Sequence, residues 1–276
     1  MAPRRLVVFA FNFAYSHPVR LLTYIRNNLG VGQELVHFAT QGTSDAQQRR
    51  LLSALGAGEP VGAIGISIPT AEAVVAAYKQ ANAPIVLIDE AREGASSVAV
   101  DNYRGGVLAG QHLVKAGRNK LAVVCGRTNV DGSLNAVMRL KGFRDALTAA
   151  NITLPANRIY EVTNYSYQEG REVLTKWLTE KVPVDAIFCA AGDDCATGIL
   201  RVAQEHGVRV PADLAVIGFD DLESAKSTTP PLTTIRQPLE KIARHAYELA
   251  SDPGIHIAHH PHKILLDPEL IVRGSA

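Results

Sequence analysis

Residues 185–221 read DAIFCAAGDDCATGILRVAQEHGVRVPADLAVIGFDD. AIFCA and LAVIGF are short runs that are apolar at every position. DDCATGILRVAQEHG, between them, has the length and mixed polarity of a helix. A strand that is apolar on both faces belongs in a sheet covered on both sides, as in parallel α/β folds. The stretch therefore predicts strand, helix, strand, with acidic residues placed directly after each strand. Open α/β sheets gather their ligands at those carboxyl ends.

The same alternation continues outward. RLVVFAF, ELVHFAT, VGAIGIS, PIVLID and SVAV predict strands, and HPVRLLTYIRNNLG, SDAQQRRLLSALG and TAEAVVAAYKQAN predict helices between them. Within the second of these helices Leu51, Leu52 and Leu55 recur at helical spacing, and Ser44 with Gln47 predicts a capping box. The pattern restarts with YRGGVLAGQHLVKAG, KLAVVCG, LKGFRDALTAAN, RIYEV and YQEGREVLTKWLTEK. Two α/β units of roughly one hundred residues each follow, an ordinary domain size. PPLTTIRQP, QPLEKIARHAYELAS, HKILLDP and ELIVRG then break the alternation.

A chain of 276 residues, 47% hydrophobic and 20% charged, is long and apolar enough for a large core of ordinary globular composition. Its 28 Lys and Arg against 27 Asp and Glu leave a net charge of +1, so no global field draws it to nucleic acid. Cys125, Cys189 and Cys195 are odd in number and lack metal-ligand spacing, which predicts reduced, packed thiols in a cytoplasm. The basic start followed by LVVFAFNFA is too short for a secretion signal and is interrupted at Asn12; a buried strand explains it. No apolar stretch has membrane-spanning length.

Residues directly after predicted strands are Asn12 and Phe13, Ser67, Asp89, Arg127, Gly192 and Asp193, and Asp220 with Asp221. This set suits a small polar ligand held by a few directed contacts. Asp193 and Asp194 also read as caps of the following helix. Asp220 and Asp221 could bind a metal or act as an acid/base pair, or Asp221 could cap the next turn while Asp220 faces solvent; no further carboxylate or histidine falls at ligand spacing. His259, His260 and His262 read as a solvated loop, and Gly105-Gly106 as glycines permitting close helix packing. No nucleophile with a base partner is present in any familiar motif, so neither enzyme activity, cofactor nor metal is expected.

VDNYRGG, SLNAVMRLKGF, AIFCAAGDDCATGIL, VPADLAVIGFDD, TTPPLTTIRQP and PELIVRGSA, in this order and spacing, together with RLVVFAFNFAYSHP, resemble the ligand-sensing module of LacI/GalR-type bacterial transcriptional regulators. The resemblance implies an α/β fold of the periplasmic-binding-protein-like type I: two Rossmann-like lobes with parallel sheets, joined by three crossings. It places the lobes at 1–101 plus 237–262 and 102–236 plus 263–276. Arg139, in the family's R-L-x-G-[FYW] motif, would donate to the ligand, and Ser133 and Asn135 would line the pocket. Asp220 would accept from the ligand while Asp221 is structural, and Tyr165 would stack on the ligand ring. Gly192 stands where the commonest family pattern has asparagine, and purine-responsive members share its Gly-Asp pair. The implied effector is a sugar or nucleoside-like compound bound between the lobes.

The implied function is the sensing and dimerisation core of a LacI-type regulator, a repressor acting in the cytoplasm. The resemblance implies a homodimer; HPVRLLTYIRNNLG and the helix from Thr70 offer apolar residues that could serve it or could equally be core. Operator DNA would be met only through a helix-turn-helix headpiece, to which residues 1–5 do not correspond. A solute-binding protein of a transport system shares this architecture but would need export.

Overall fold

The computed structural model describes residues 4–41, 44–56, 60–130, 133–251 and 261–276. In chain order the elements are β1 (Arg4–Ala10), α1 (Ser16–Asn27), β2 (Gln33–Ala39), α2 (Ser44–Gly56), β3 (Pro60–Ile66), α3 (Glu72–Gln80), β4 (Ile85–Ile88) and β5 (Ser96–Val100). There follow α4 (Asn102–Lys115), β6 (Leu121–Gly126), α5 (Leu134–Ala149), a short 3-10 turn, β7 (Ile159–Val162), α6 (Tyr167–Thr179), β8 (Ala186–Cys189) and α7 (Asp193–Glu205). The chain ends through β9 (Ala215–Asp220), α8 (Glu223–Ser227), β10 (Thr233–Arg236), α9 (Leu239–Ser251), β11 (Lys263–Leu266) and β12 (Glu269–Ile271).

Two compact units result, Met1–Val100 with Pro238–Leu266, and Asp101–Gln237 with Asp267–Ala276. The first holds a six-stranded sheet in the order β11-β5-β4-β3-β1-β2, parallel throughout. One face is closed by α1 and α9, whose Leu21, Ile25, Ile242 and Ala246 meet Leu6, Val8, Ile64 and Val86. On the other face Leu51, Val74, Val75 and Tyr78 of α2 and α3 cover Val7, Phe9, Ala63 and Leu87. Alternate residues of the central strands β1, β3 and β4 thus feed two cores, which is why their inner runs carry so few polar side chains.

The second unit repeats the plan with the order β12-β10-β9-β8-β6-β7. Only the β10–β12 pairing is antiparallel among its described strands. α6 and α7 pack one face around Trp177, and α4 and α5 pack the other around Phe143, Phe188 and Phe219. α4 and α5 approach very closely. A Cβ on Gly106 would run into the Arg139 carbonyl and lie 2.8 Å from the Phe143 nitrogen, and one on Gly142 would run into the Tyr103 carbonyl. α6 begins at a capping box in which Ser166 and Glu169 satisfy each other's backbone N–H.

The chain passes between units after Val100, after Gln237 and after Leu266. The sequence reading placed residues 263–276 together in the second lobe. Lys263–Leu266 instead pairs with β5 of the first sheet, because Ile264 and Leu266 complete the core beneath α9. Of the two roles open to the apolar residues of α1 and α3, dimer surface or core, most fill the second: Leu21, Leu22, Ile25, Val74, Val75 and Tyr78 are buried within their own unit. The expected Ser44 cap and the His259-His260 pair fall outside the described side chains. All three cysteines are free and buried. Among the described residues no helix is long and apolar enough to cross a membrane.

Candidate functional site

In the first unit β1, β3 and β4 are neighbours whose ends align, Ala10 beside Ile66 and Ile66 beside Ile88. Asn12, Ser67 and Asp89 therefore emerge from adjacent strand ends. Asn12 is buried, and its side-chain oxygen accepts from the Ala14 N–H at 2.9 Å, turning the chain after β1. Phe13 sits edge-on to His37, with ring centroids 5.0 Å apart. The Ser67 hydroxyl donates to Asp89 Oδ2 at 3.0 Å. Asp89 is buried, and its Oδ1 has no hydrogen-bond partner among the described residues.

In the second unit Arg139 is only 8% exposed, although it lies on a helix where most arginines are solvated. Its Nε donates to Asn102 Oδ1 at 2.7 Å and its Nη1 to the Ala190 carbonyl at 2.8 Å. The guanidinium lies over the Phe219 ring, 3.5 Å from the centroid. Asn102 in turn donates to Asn135 Oδ1 at 3.2 Å. α4, α5, β8 and β9 are thereby tied together at one end of the sheet, so Arg139 is an organising residue of this site as well as a candidate donor. Ser133, at the start of α5, donates to the Thr128 carbonyl at 3.3 Å and makes no capping bond.

The two acids after β9 separate cleanly. Asp221 is buried and accepts from Arg236 at 2.7 Å and from Arg273 at 2.5 Å. Burial raises its pKa, but the Arg273 and Arg236 bonds outweigh this and hold it below the ordinary carboxylate value. Asp220 is part-exposed, and its Oδ1 accepts from Gln237 Nε2 at 2.5 Å. Gln237 is 4% exposed, and its Oε1 is buried without a partner among the described residues. Gly192 lies alongside: a Cβ there would be 3.0 Å from Asp220 Oδ2, and its φ of +114° favours glycine.

Asp193 lies inside the second unit. It is 0% exposed; its Oδ2 accepts from the Leu222 N–H at 2.7 Å and its Oδ1 from the Thr234 hydroxyl at 2.6 Å. Nor does it cap its helix, since those bonds lead away to β10 and the turn after β9 and Gly192 holds the cap position. Burial first, and then the Asp220 and Asp221 carboxylates, push its carboxyl well above the ordinary range, against the pull of its two hydrogen bonds. Tyr165 is exposed, with its hydroxyl packed against Gly126, leaving no room for a side chain there. Burial leads the causes that raise its pKa.

Ser67, Asp89, Tyr165, Asp220 and Asp221 all have positive φ, between 48° and 105°. Side-chain-bearing residues enter this region at a cost, and such strain gathers where surrounding structure fixes a functional geometry. Asn102 and Gln237 were not among the residues singled out from sequence, although both lie within quoted motifs, VDNYRGG and TTIRQP. Among the described residues no group of three His, Cys, Asp or Glu could hold a metal ion.

The sequence model of the periplasmic binding protein-like domain matches residues 111–276. The helix-turn-helix-type transcriptional repressor PurR of Proteus mirabilis (strain HI4320) is 32% identical over 199 residues, 70% of this chain. The chain belongs to the LacI family. A second LacI-type relative, the regulator DegA of Bacillus subtilis (strain 168), is 35% identical over 178 residues, 64% of this chain. The chain spans about half the length of these relatives, 56% of PurR and 51% of DegA. Among solved structures, the transcriptional regulator CelR in complex with cellobiose superposes with a TM-score of 0.82 at 26% identity, covering 100% of this chain and 86% of that one.

Proposed function

We propose that this chain is the effector-sensing and dimerisation core of a LacI-type transcriptional repressor, and that its effector is a small, uncharged, donor-rich ring compound, a sugar or nucleoside-like molecule. The observation that carries this reading is made in each unit by itself: at the end of β4 in the first, Asp89 Oδ1 is buried without a donor among the described residues, and in the second the same holds for Gln237 Oε1, whose amide is bonded to Asp220. A buried acceptor without a partner costs about 1–3 kcal/mol. A hydroxyl or ring N–H supplied by a ligand removes that cost, whereas an anionic ligand would meet carboxylates. The cellobiose held by CelR supports a sugar, and the likeness to PurR supports a repressor. The chain acts by binding, not by catalysis. Its effector would bias the regulator between two states with different affinity for operator DNA.

Calorimetry against a panel of sugars and nucleosides identifies the effector. Asp220→Ala and Gln237→Ala should then weaken it about tenfold to a hundredfold. Unchanged affinity in both folded variants would overturn the placement. With its net charge of +1 the chain alone should show no measurable, salt-dependent shift of an operator-like duplex. A homodimer is part of the proposal, and Val19, Phe38 and Leu52, exposed on the first unit, are apolar residues suited to it. Sedimentation at micromolar concentration that shows only monomer would refute the dimer.

A further inference from the structure

Asp193 lies in the first turn of α7, fully buried, and the described structure gives it no cationic partner. The groups facing it come from every neighbouring element. β10 offers the Thr234 hydroxyl, and the turn after β9 offers the Leu222 N–H with the carboxylates of Asp220 and Asp221, the latter already paired to Arg236 and Arg273. β8 offers the thiol of Cys189, which itself is pushed up by burial first and then by neighbouring groups that include Cys195 and Asp193. Gly218 of β9 lies so close to Asp193 Oδ1 that no side chain fits between them.

An ionised carboxylate in such a place must be sustained by its surroundings. Two hydrogen bonds and the amino end of α7 favour the anion. Complete burial and two adjacent carboxylates disfavour it, and the balance raises its pKa. The geometry already accommodates a proton. The 2.6 Å contact between Thr234 and Asp193 can run from the acid O–H to the threonine oxygen, while Oδ2 goes on accepting from Leu222.

We propose that Asp193 is a proton-bearing positioning residue, a neutral acid that ties the turn carrying Asp220 to β10 and α7 and keeps a second negative charge from standing behind the carboxylate the effector meets. Its consequence for the effector rests on the reading of Asp220 given above; the proton itself does not, and the test reads the proton. The whole chain, labelled with carbon-13 at the aspartate carboxyls, is titrated by NMR from about pH 5 to about pH 8. One resonance, absent from Asp193→Asn, should keep the shift of the un-ionised acid at about pH 7. If every aspartate is already ionised at about pH 5, the proposal fails.

Thermal melts supply an independent readout. A carboxyl whose folded pKa exceeds its unfolded value makes stability fall as pH climbs from the ordinary carboxylate range towards the folded value. An amide does not ionise, so the Tm of Asp193→Asn relative to the parent should rise with pH. A deficit that stays constant over that range would mean an ionised, structural aspartate and would overturn the proposal. If Asp193→Asn does not fold, the titration of the parent protein still decides.

Discussion

Replacing Arg139 by alanine should unfold the second unit more readily, not merely empty a binding site. The substitution removes two hydrogen bonds from a charged donor, to Asn102 and to the Ala190 carbonyl. Each is worth about 1.5–3 kcal/mol. It also removes a guanidinium seated 3.5 Å over Phe219, worth about 0.5–2 kcal/mol. Part of this is returned because the buried cation no longer has to be desolvated. A net loss of about 2–4 kcal/mol is expected. The assay is urea unfolding followed by tryptophan fluorescence. The protein has one tryptophan, and Trp177 is packed in the core of the same unit, so the signal reports that unit directly. The midpoint should fall without a change of slope. Arg139→Met, which keeps much of the apolar stem, should recover only the packing share. An Arg139→Ala midpoint equivalent to less than about 0.5 kcal/mol would refute the claim that this arginine ties four elements together.

Gly106→Ala should cost about 1–3 kcal/mol, because its methyl would meet the backbone of α5 and force two closely packed helices apart; differential scanning calorimetry should show the lowered Tm. Asp221→Asn should destabilise the protein at neutral pH by weakening two arginine pairs. Asp221 is depressed in the folded state, so its contribution is present above the ordinary carboxylate pKa and is lost as pH falls through the lower folded value. The gap between variant and parent should therefore close in acid, and a gap independent of pH would count against the ion pairs.

The central strands were legible because runs such as LVVFA, IVLI, LAVV and AIFC are short and apolar, and helices such as α1, α7 and α9 carry an apolar stripe. Which sheet a strand joins was less so. KILL at Lys263–Leu266 reads as a strand anywhere, and only the packing of Ile264 and Leu266 under α9 assigns it to the first sheet. Adjacent acids pose the same difficulty. Asp193 and Asp220 both follow strands, yet one is sealed beneath Gly218 and the other faces outward, a difference set by neighbours distant in sequence. Arg139 was found through its motif, but its burial was not, since a charge inside a helix interrupts the apolar pattern instead of extending it. Asn102 and Gln237 carry no periodicity at all; they are single polar residues at junctions, and their importance appears only in what they touch.

The way α9 and β11 return to the first sheet has a consequence for synthesis. Leu239, Ile242, Ala246 and Leu249 close the core over β1, β3 and β4, yet Asp101–Gln237 lies between them in the chain. As the protein leaves the ribosome, the segment up to Val100 emerges with only α1 over the face that α9 later completes. It must wait while most of the second unit is translated. That interval exposes Leu6, Val8, Ile64 and Val86 to any passing apolar surface. Pairings across so long a separation also form slowly. The nascent first unit is therefore the segment a chaperone would be expected to hold, and slowing translation across Asp101–Gln237 should lower the soluble yield more than slowing it after α9.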